Sequence, residues 1–301
     1  MGSFGDVERT LTNAAAAYVN GHIYVVAQCT NVITVYKAQL PFTEQQRLAV
    51  GAITGVKDIV ACSINSCCYV ADSNGVWRVK VSNLSNQQPI QDCEIWLKKT
   101  TVQSLSITAD GNILATEFGK PSASDNHMLN NKPAECDSLR MYNSKGLILF
   151  EIPLNVDDLK GVLHAIQTPT GSIIVCQADK EDDKLQRISE IDIHGTVIRR
   201  YGGERGGGLG QLNNPNYLVH DFARRWLFVC DYFNHKVLLF DKNLRLRGIL
   251  VKDEKDWFYK LCYVKELSML LISSTYGVVE VYRVLPMDKK PANVDIVSIS
   301  V

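Results

Sequence analysis

The chain has 301 residues, with 32 basic and 32 acidic side chains, 46% hydrophobic and 21% charged residues, 20 Gly, 9 Pro and 9 Cys. That much apolar content without net charge excludes intrinsic disorder and collagen-like or low-complexity chains. It also removes any bulk attraction to nucleic acid or to an anionic membrane.

No apolar run approaches the roughly 18 residues of a membrane span, and Met1–Asp6 lacks a basic segment followed by an apolar one. A cytoplasmic location is therefore expected, with no membrane or DNA partner. Met1-Gly2-Ser3 has the form of a cloning remnant, and further domains are expected in the native protein. The odd number of cysteines forms no C-x-x-C pair and no disulfide framework, so they read as reduced thiols.

Taken in chain order, short β-branched and aromatic runs bounded by Gly, Asn, Asp or Ser dominate, and long amphipathic helical stretches are scarce. A unit of three apolar strands recurs six times. The copies run 14–19, 22–27 and 32–36; 59–62, 68–72 and 76–79; 105–107, 112–116 and 139–142; 163–166, 172–176 and 188–191; 217–219, 226–231 and 237–240; and 261–264, 269–273 and 278–282. Equivalent points in the second strand, Tyr24, Tyr69, Leu114, Ile174, Phe228 and Leu271, are 45, 45, 60, 54 and 43 residues apart. Four-stranded propeller blades repeat every 40 to 50 residues or so, and the two longer steps are loop insertions. A fourth, outer strand is expected at 95–97, 147–150, 197–199 and 246–250, and the tail 294–301 or the segment Val7–Leu11 completes the sixth blade.

These patterns predict an all-β chain: a six-bladed β-propeller of four-stranded antiparallel blades, in one domain over 1–301. The expected blades are 7–50, 56–98, 102–152, 160–201, 212–250 and 257–301. Each blade has two apolar faces that only its neighbours can cover, so the copies do not stand alone.

The fifth copy carries a sharper signature. Gly202–Gly210, then Gln211, Pro215, Asp221, Leu227–Asp231, Asn234, His235, Lys236 and Val237, resembles an NHL repeat. Lys236 stands for the usual Arg, and Tyr217 and Arg224 for usual glycines. The resemblance implies an NHL-type six-bladed propeller, as in tripartite-motif proteins, where the propeller selects protein substrates or RNA. In this pattern Asp231 and Asn234 are suited to bonding backbone N–H groups near the tight connection to the third strand. Cys176 and Cys230 occupy the slot that Ala27, Ala71 and Ala115 fill elsewhere, which reads as a small buried apolar position.

Catalytic signals are weak. The glycine run 202–210 is followed by Pro215 and a strand, whereas a phosphate cradle needs a helix start there. The six histidines show no zinc-motif spacing, and only His164 and His220 fall on predicted innermost strands. No nucleophile-elbow pattern occurs. The expectation is a protein without catalytic residues, metal or cofactor, and without a small-molecule substrate.

Binding residues concentrate on loops held by a rigid scaffold. The connections between second and third strands share one rim with the connections between blades, and that rim is the expected binding face. Its candidate partner-binding residues are Asn74, Asn214, Asn216, Tyr232, Phe233, His235, Lys236 and Tyr276. The resulting expectation is a recognition module for a protein partner, the substrate-recruiting part of a ubiquitin-ligase-like protein. Single-stranded or hairpin RNA on the same rim is the second reading, and a metal-dependent propeller lyase or hydrolase is the third. The acidic Glu181-Asp182-Asp183 cluster on that rim favours protein over RNA.

Overall fold

The computed structural model describes residues 14–27, 30–39, 41–50, 53–81, 93–98, 100–118, 136–154, 156, 158–179, 182–275, 277–284 and 297–300. The segment Val7–Leu11, the interior of the 118–137 insertion and Tyr276 lie outside these residues.

Six four-stranded antiparallel sheets are formed, each in sequence order from the axis outwards. Blade 1 holds β1 (Ala14–Val19), β2 (His22–Ala27), β3 (Val32–Lys37) and β4 (Glu44–Ala49). Blade 2 holds β5 (Asp58–Cys62), β6 (Cys67–Asp72), β7 (Gly75–Lys80) and β8 (Cys93–Lys98). In blade 3 are β9 (Thr101–Ile107), β10 (Ile113–Phe118), β11 (Cys136–Tyr142) and β12 (Ile148–Pro153). In blade 4 are β13 (Val162–Gln167), β14 (Ile173–Gln177), β15 (Gln186–Ile191) and β16 (Val197–Gly203). Blade 5 consists of β17 (Pro215–Asp221), β18 (Trp226–Asp231), β19 (Lys236–Asp241) and β20 (Leu246–Lys252). Blade 6 consists of β21 (Phe258–Val264), β22 (Met269–Ser274), β23 (Val278–Arg283) and β24 (Val297–Ser300), so the chain's tail supplies its outer strand.

Burial follows position in the blade. The second strands β6 and β22 are buried at every residue, because neighbouring sheets cover both of their faces and leave no polar side. The outer strands β4 and β12 are exposed at all but one or two positions. Tyr69, Phe228, Phe240 and Phe258 are the largest fully buried rings, each worth about 1.5–3 kcal/mol of transfer free energy.

Six apolar clusters fill the six junctions between adjacent blades. The cluster joining Val279 and Leu271 to Ile23 and Val25 seals blade 6 against blade 1. Innermost strands pack on each other around the circle, β21 meeting β1. This closure is what makes the ring a single packed unit.

Acidic residues ending the second strands staple the rim. Asp72 accepts the Asn74 and Gly75 N–H groups at 2.7 and 3.0 Å and the Thr54 N–H at 3.1 Å. Asp231 works differently from the expectation, accepting the Asn213 N–H at 2.7 Å from the preceding linker. Asn234 donates to both Asp231 Oδ2 and Gly206 O at 2.7 Å, which fastens the glycine-rich linker to blade 5. Burial pushes the Asp231 carboxyl up to about 6, against the opposing effect of these donors. Cys176 and Cys230 are fully buried, in the small-residue slot that Ala71 and Ala115 fill, also fully buried, in their own blades.

Candidate functional site

The innermost strands start at the rim that carries the inter-blade linkers, here called upper, and end at the lower rim. Blade 1 contributes only Ala15, Ala16 and Ala17 along the middle of its inner strand, and Ala16 and Ala17 border open space on the axis.

Asp58, at the start of β5 and fully buried, is the centre of a polar knot. It accepts the Ile59 N–H at 3.0 Å, the Leu105 N–H at 2.8 Å and the Tyr217 hydroxyl at 3.2 Å, and it pairs with the Lys260 ammonium at 2.9 Å. Lys260 is itself buried and lies over the rings of Tyr217 and Tyr259, at 4.8 and 5.4 Å from their centroids. Such a pair holds out of water because further hydrogen bonds satisfy the Asp58 carboxylate and two ring faces flank the Lys260 ammonium.

His164 stacks on Tyr217 with ring centroids 3.8 Å apart. Its Nε2 lies 3.1 Å from the Leu105 carbonyl oxygen, which can only accept, so this nitrogen carries the proton. Burial, and then the Lys260 charge, hold the imidazole down to about 3, so it is neutral and presents Nδ1 as an acceptor. Burial and the neighbouring Asp58 carboxylate push the Tyr217 phenol up. Blades 2, 3, 4, 5 and 6 are thus tied together across the axis by one cluster.

Above the knot lies a hollow of about 340 Å³, lined by Ser104, Asn216, Tyr232, Phe233, Tyr259 and Lys260 among others. Four inner strands bulge at this level. The pairing with the second strand skips Gln103 in β9, Leu163 in β13, Asn216 in β17 and Tyr259 in β21, whereas β1 and β5 pair without interruption. All four skipped residues line the hollow. A bulge leaves one residue out of the ladder and re-aims its side chain, so the hollow is a product of backbone geometry as much as of composition.

Aromatic side chains form its wall at the junction of blades 5 and 6. Tyr232 meets the other two lining rings, Phe233 edge-on at 4.9 Å and Tyr259 at 6.3 Å, and Trp257, which lies outside the lining, stands 6.3 Å behind it. Phe233 is 45% exposed, an unusual position for a large apolar ring. Asn216 donates to the Tyr259 carbonyl at 3.2 Å, and its buried Oδ1 has no protein partner.

The expected site residues separate on this map. Asn214, Asn216, Tyr232 and Phe233 come together at the hollow. His235 sits just outside, in the left-handed conformation at φ 53°, with Nδ1 2.8 Å from the Asp256 carbonyl oxygen and its ring against Trp257. Lys236 reaches the Gly207 carbonyl at 3.3 Å on the glycine-rich linker. Asn74 belongs to blade 2, where its amide bonds Thr54 Oγ1 at 3.3 Å, and it does not line the hollow. Asp58, Tyr217, Trp257, Tyr259 and Lys260 were not among the residues the sequence singled out for the site. Strand starts read at Ile59 and Leu261 left Asp58 and Lys260 one residue outside the pattern.

No family model matches the chain, and no curated protein matches it. Among solved structures it is similar to Kuenenia stuttgartiensis hydrazine synthase, with 14% identity and a TM-score of 0.58, over 90% of this chain and 83% of that one. That likeness shows the propeller fold. Because 1411 solved chains match at this level, the fold by itself assigns no activity. Among the described residues, no helix is long and apolar enough to cross a membrane, and no three His, Cys, Asp or Glu side chains converge as a metal ligand set.

Proposed function

We propose that the protein is a non-catalytic recognition module that takes a protein partner on its upper rim, anchored in the axial hollow at the aromatic wall that blades 5 and 6 supply. The observation that carries this reading is the aromatic wall of Tyr232, Phe233 and Tyr259, backed by Trp257, beside the unpaired Asn216 Oδ1. Aromatic rings with a polar group at hand supply the anchoring energy of protein interfaces. A partner segment that places an apolar side chain against Phe233 and an N–H on Asn216 Oδ1 satisfies both features. The NHL resemblance at 201–241 supports a recruiting role within a larger regulatory protein.

RNA is the second reading, since bases stack on the same rings. Two cations near the hollow are, however, neutralised by carboxylates, Lys260 by Asp58 and Arg205 by Asp183. That weakens their hold on a phosphate backbone, which is the main source of nucleic-acid affinity.

The test is affinity capture by wild type and by a Tyr232→Ala/Phe233→Ala variant, before and after nuclease treatment, with both proteins shown to be folded. A protein retained after nuclease by wild type and bound at least about 30-fold more weakly by the variant, the equivalent of about 2 kcal/mol, supports the reading. Equal recovery by both proteins removes the hollow from the site, and loss of all recovery on nuclease treatment transfers the rim to RNA.

A further inference from the structure

The Tyr217–His164 stack closes the hollow from below, and beneath it the axis holds a second cavity of about 200 Å³ that reaches the lower rim at Gln167, His220 and Phe222. Its walls are mostly small or apolar, including Ala16, Ala17, Ala61, Ile107, Val219 and Cys262. Among the described residues, no Asp, Glu, Lys or Arg lines it. A cavity of this kind that served packing alone would be lined by apolar groups throughout.

This one is not. Three polar atoms on adjacent inner strands have no protein partner: Ser106 Oγ on β9, His164 Nδ1 on β13 and His220 Nδ1 on β17, and all three residues line the cavity. His164 is 1% exposed and Ser106 7%. Leaving such atoms without a hydrogen bond costs more than a made bond contributes net, so their convergence on one space points to a bound group that answers them. His164 Nδ1 calls for a donor, because the proton of that ring is committed to the Leu105 carbonyl through Nε2. Ser106 can donate or accept.

We propose that the lower channel binds a small uncharged ring compound carrying a hydroxyl or ring N–H, of about the size of a phenol. Charge is excluded by the lining, which offers no counter-ion, and burial keeps both imidazoles neutral, His164 down to about 3 and His220 to about 4. Size follows from volume, since an apolar cavity of roughly 150 Å³ accommodates benzene and this one is somewhat larger and carries polar corners. The hydroxyl or N–H donates to His164 Nδ1, and the ring lies among the small inner-strand residues. This site is separate from the upper hollow and does not depend on the partner proposed there.

Ligand-observed fluorine NMR on the whole chain tests the proposal, using 4-fluorophenol, fluorobenzene and 4-fluorobenzoate as probes. The expected result is saturable one-to-one binding of 4-fluorophenol, roughly fivefold tighter than fluorobenzene for the added hydrogen bond, and no binding of the benzoate. Two variants that fill the channel from different blades, Ala61→Phe and Val219→Trp, are each expected to abolish it. If one fails to fold, the other still decides. Non-saturable signals, equal binding of fluorophenol and fluorobenzene, benzoate binding as tight as the phenol's, or wild-type binding in a folded channel-filling variant would each overturn the proposal.

Discussion

Replacing Asp58 by Asn tests how the ring is held at its centre. The amide keeps the shape of the side chain but removes the charge opposite Lys260, whose ammonium is buried and 2.9 Å from Asp58 Oδ1. Breaking a buried pair by removing one partner costs about 3–5 kcal/mol, because the remaining charge has lost its compensation. Unfolding entropy scales with chain length, so for a chain of 301 residues this corresponds to a melting-temperature fall of about 5–8 °C. Lys260→Met is expected to cost less, about 2–3 kcal/mol, because Asp58 keeps the Tyr217 hydroxyl and the Ile59 and Leu105 N–H groups. The double variant then leaves no unpaired ion, and it should fall short of the summed single effects by about 2 kcal/mol. Guanidinium unfolding followed by tryptophan fluorescence, at one pH for all four proteins, supplies the double-mutant cycle. Single effects that add to within about 0.5 kcal/mol would mean the two residues are not coupled, and the knot would not exist as described.

Further outcomes follow from the same geometry. His164 is held neutral when folded, down to about 3, while in the unfolded chain it has its ordinary value of about 6.5. The unfolded state therefore takes up a proton that the folded state refuses, and stability falls as pH drops below about 6.5. Between pH 7 and pH 5 wild type should lose about 2 kcal/mol relative to His164→Gln, and parallel stability curves for the two proteins would refute this. At Gly202, φ is 88° and an added Cβ would stand 2.6 Å from the Gln186 carbonyl oxygen, whereas Gly171, with the same φ, has nothing within 4 Å. Gly202→Ala should therefore destabilise by about 1–3 kcal/mol and clearly more than Gly171→Ala, as thermal unfolding of the two variants would show.

The repeat was legible because it is written in local pattern. A second strand flanked by two sheets is buried along its whole length and apolar except at its rim end, so the runs within Cys67–Asp72 and Met269–Ser274 stand out in the sequence as they do in the fold. Outer strands carry a fainter mark, and Glu44–Ala49, polar and exposed, was not recognised as one. At the site, Tyr232, Phe233, Asn214 and Asn216 were legible from their place on rim loops of the fifth repeat. Tyr259, which completes the same wall, and Trp257, which backs it, were not, because they belong to the next repeat and meet Tyr232 only when blades 5 and 6 pack. His235 and Lys236 bear the strongest motif, yet their side chains fasten the Asp256 and Gly207 backbone. Motif strength there reports the joining of blades.

The sequence by itself determined the six four-stranded sheets and the rim on which their loops gather, since strand period, turn residues and blade spacing are properties of neighbouring positions. Tertiary structure alone decided what occupies the axis. Asp58 meets Tyr217, 159 residues away along the chain, only because closing the circle sets the second and fifth blades on a common centre. The bulges at Gln103, Leu163, Asn216 and Tyr259 likewise belong to the pairing of inner with second strands, which turns all four residues towards one hollow and has no mark in local sequence.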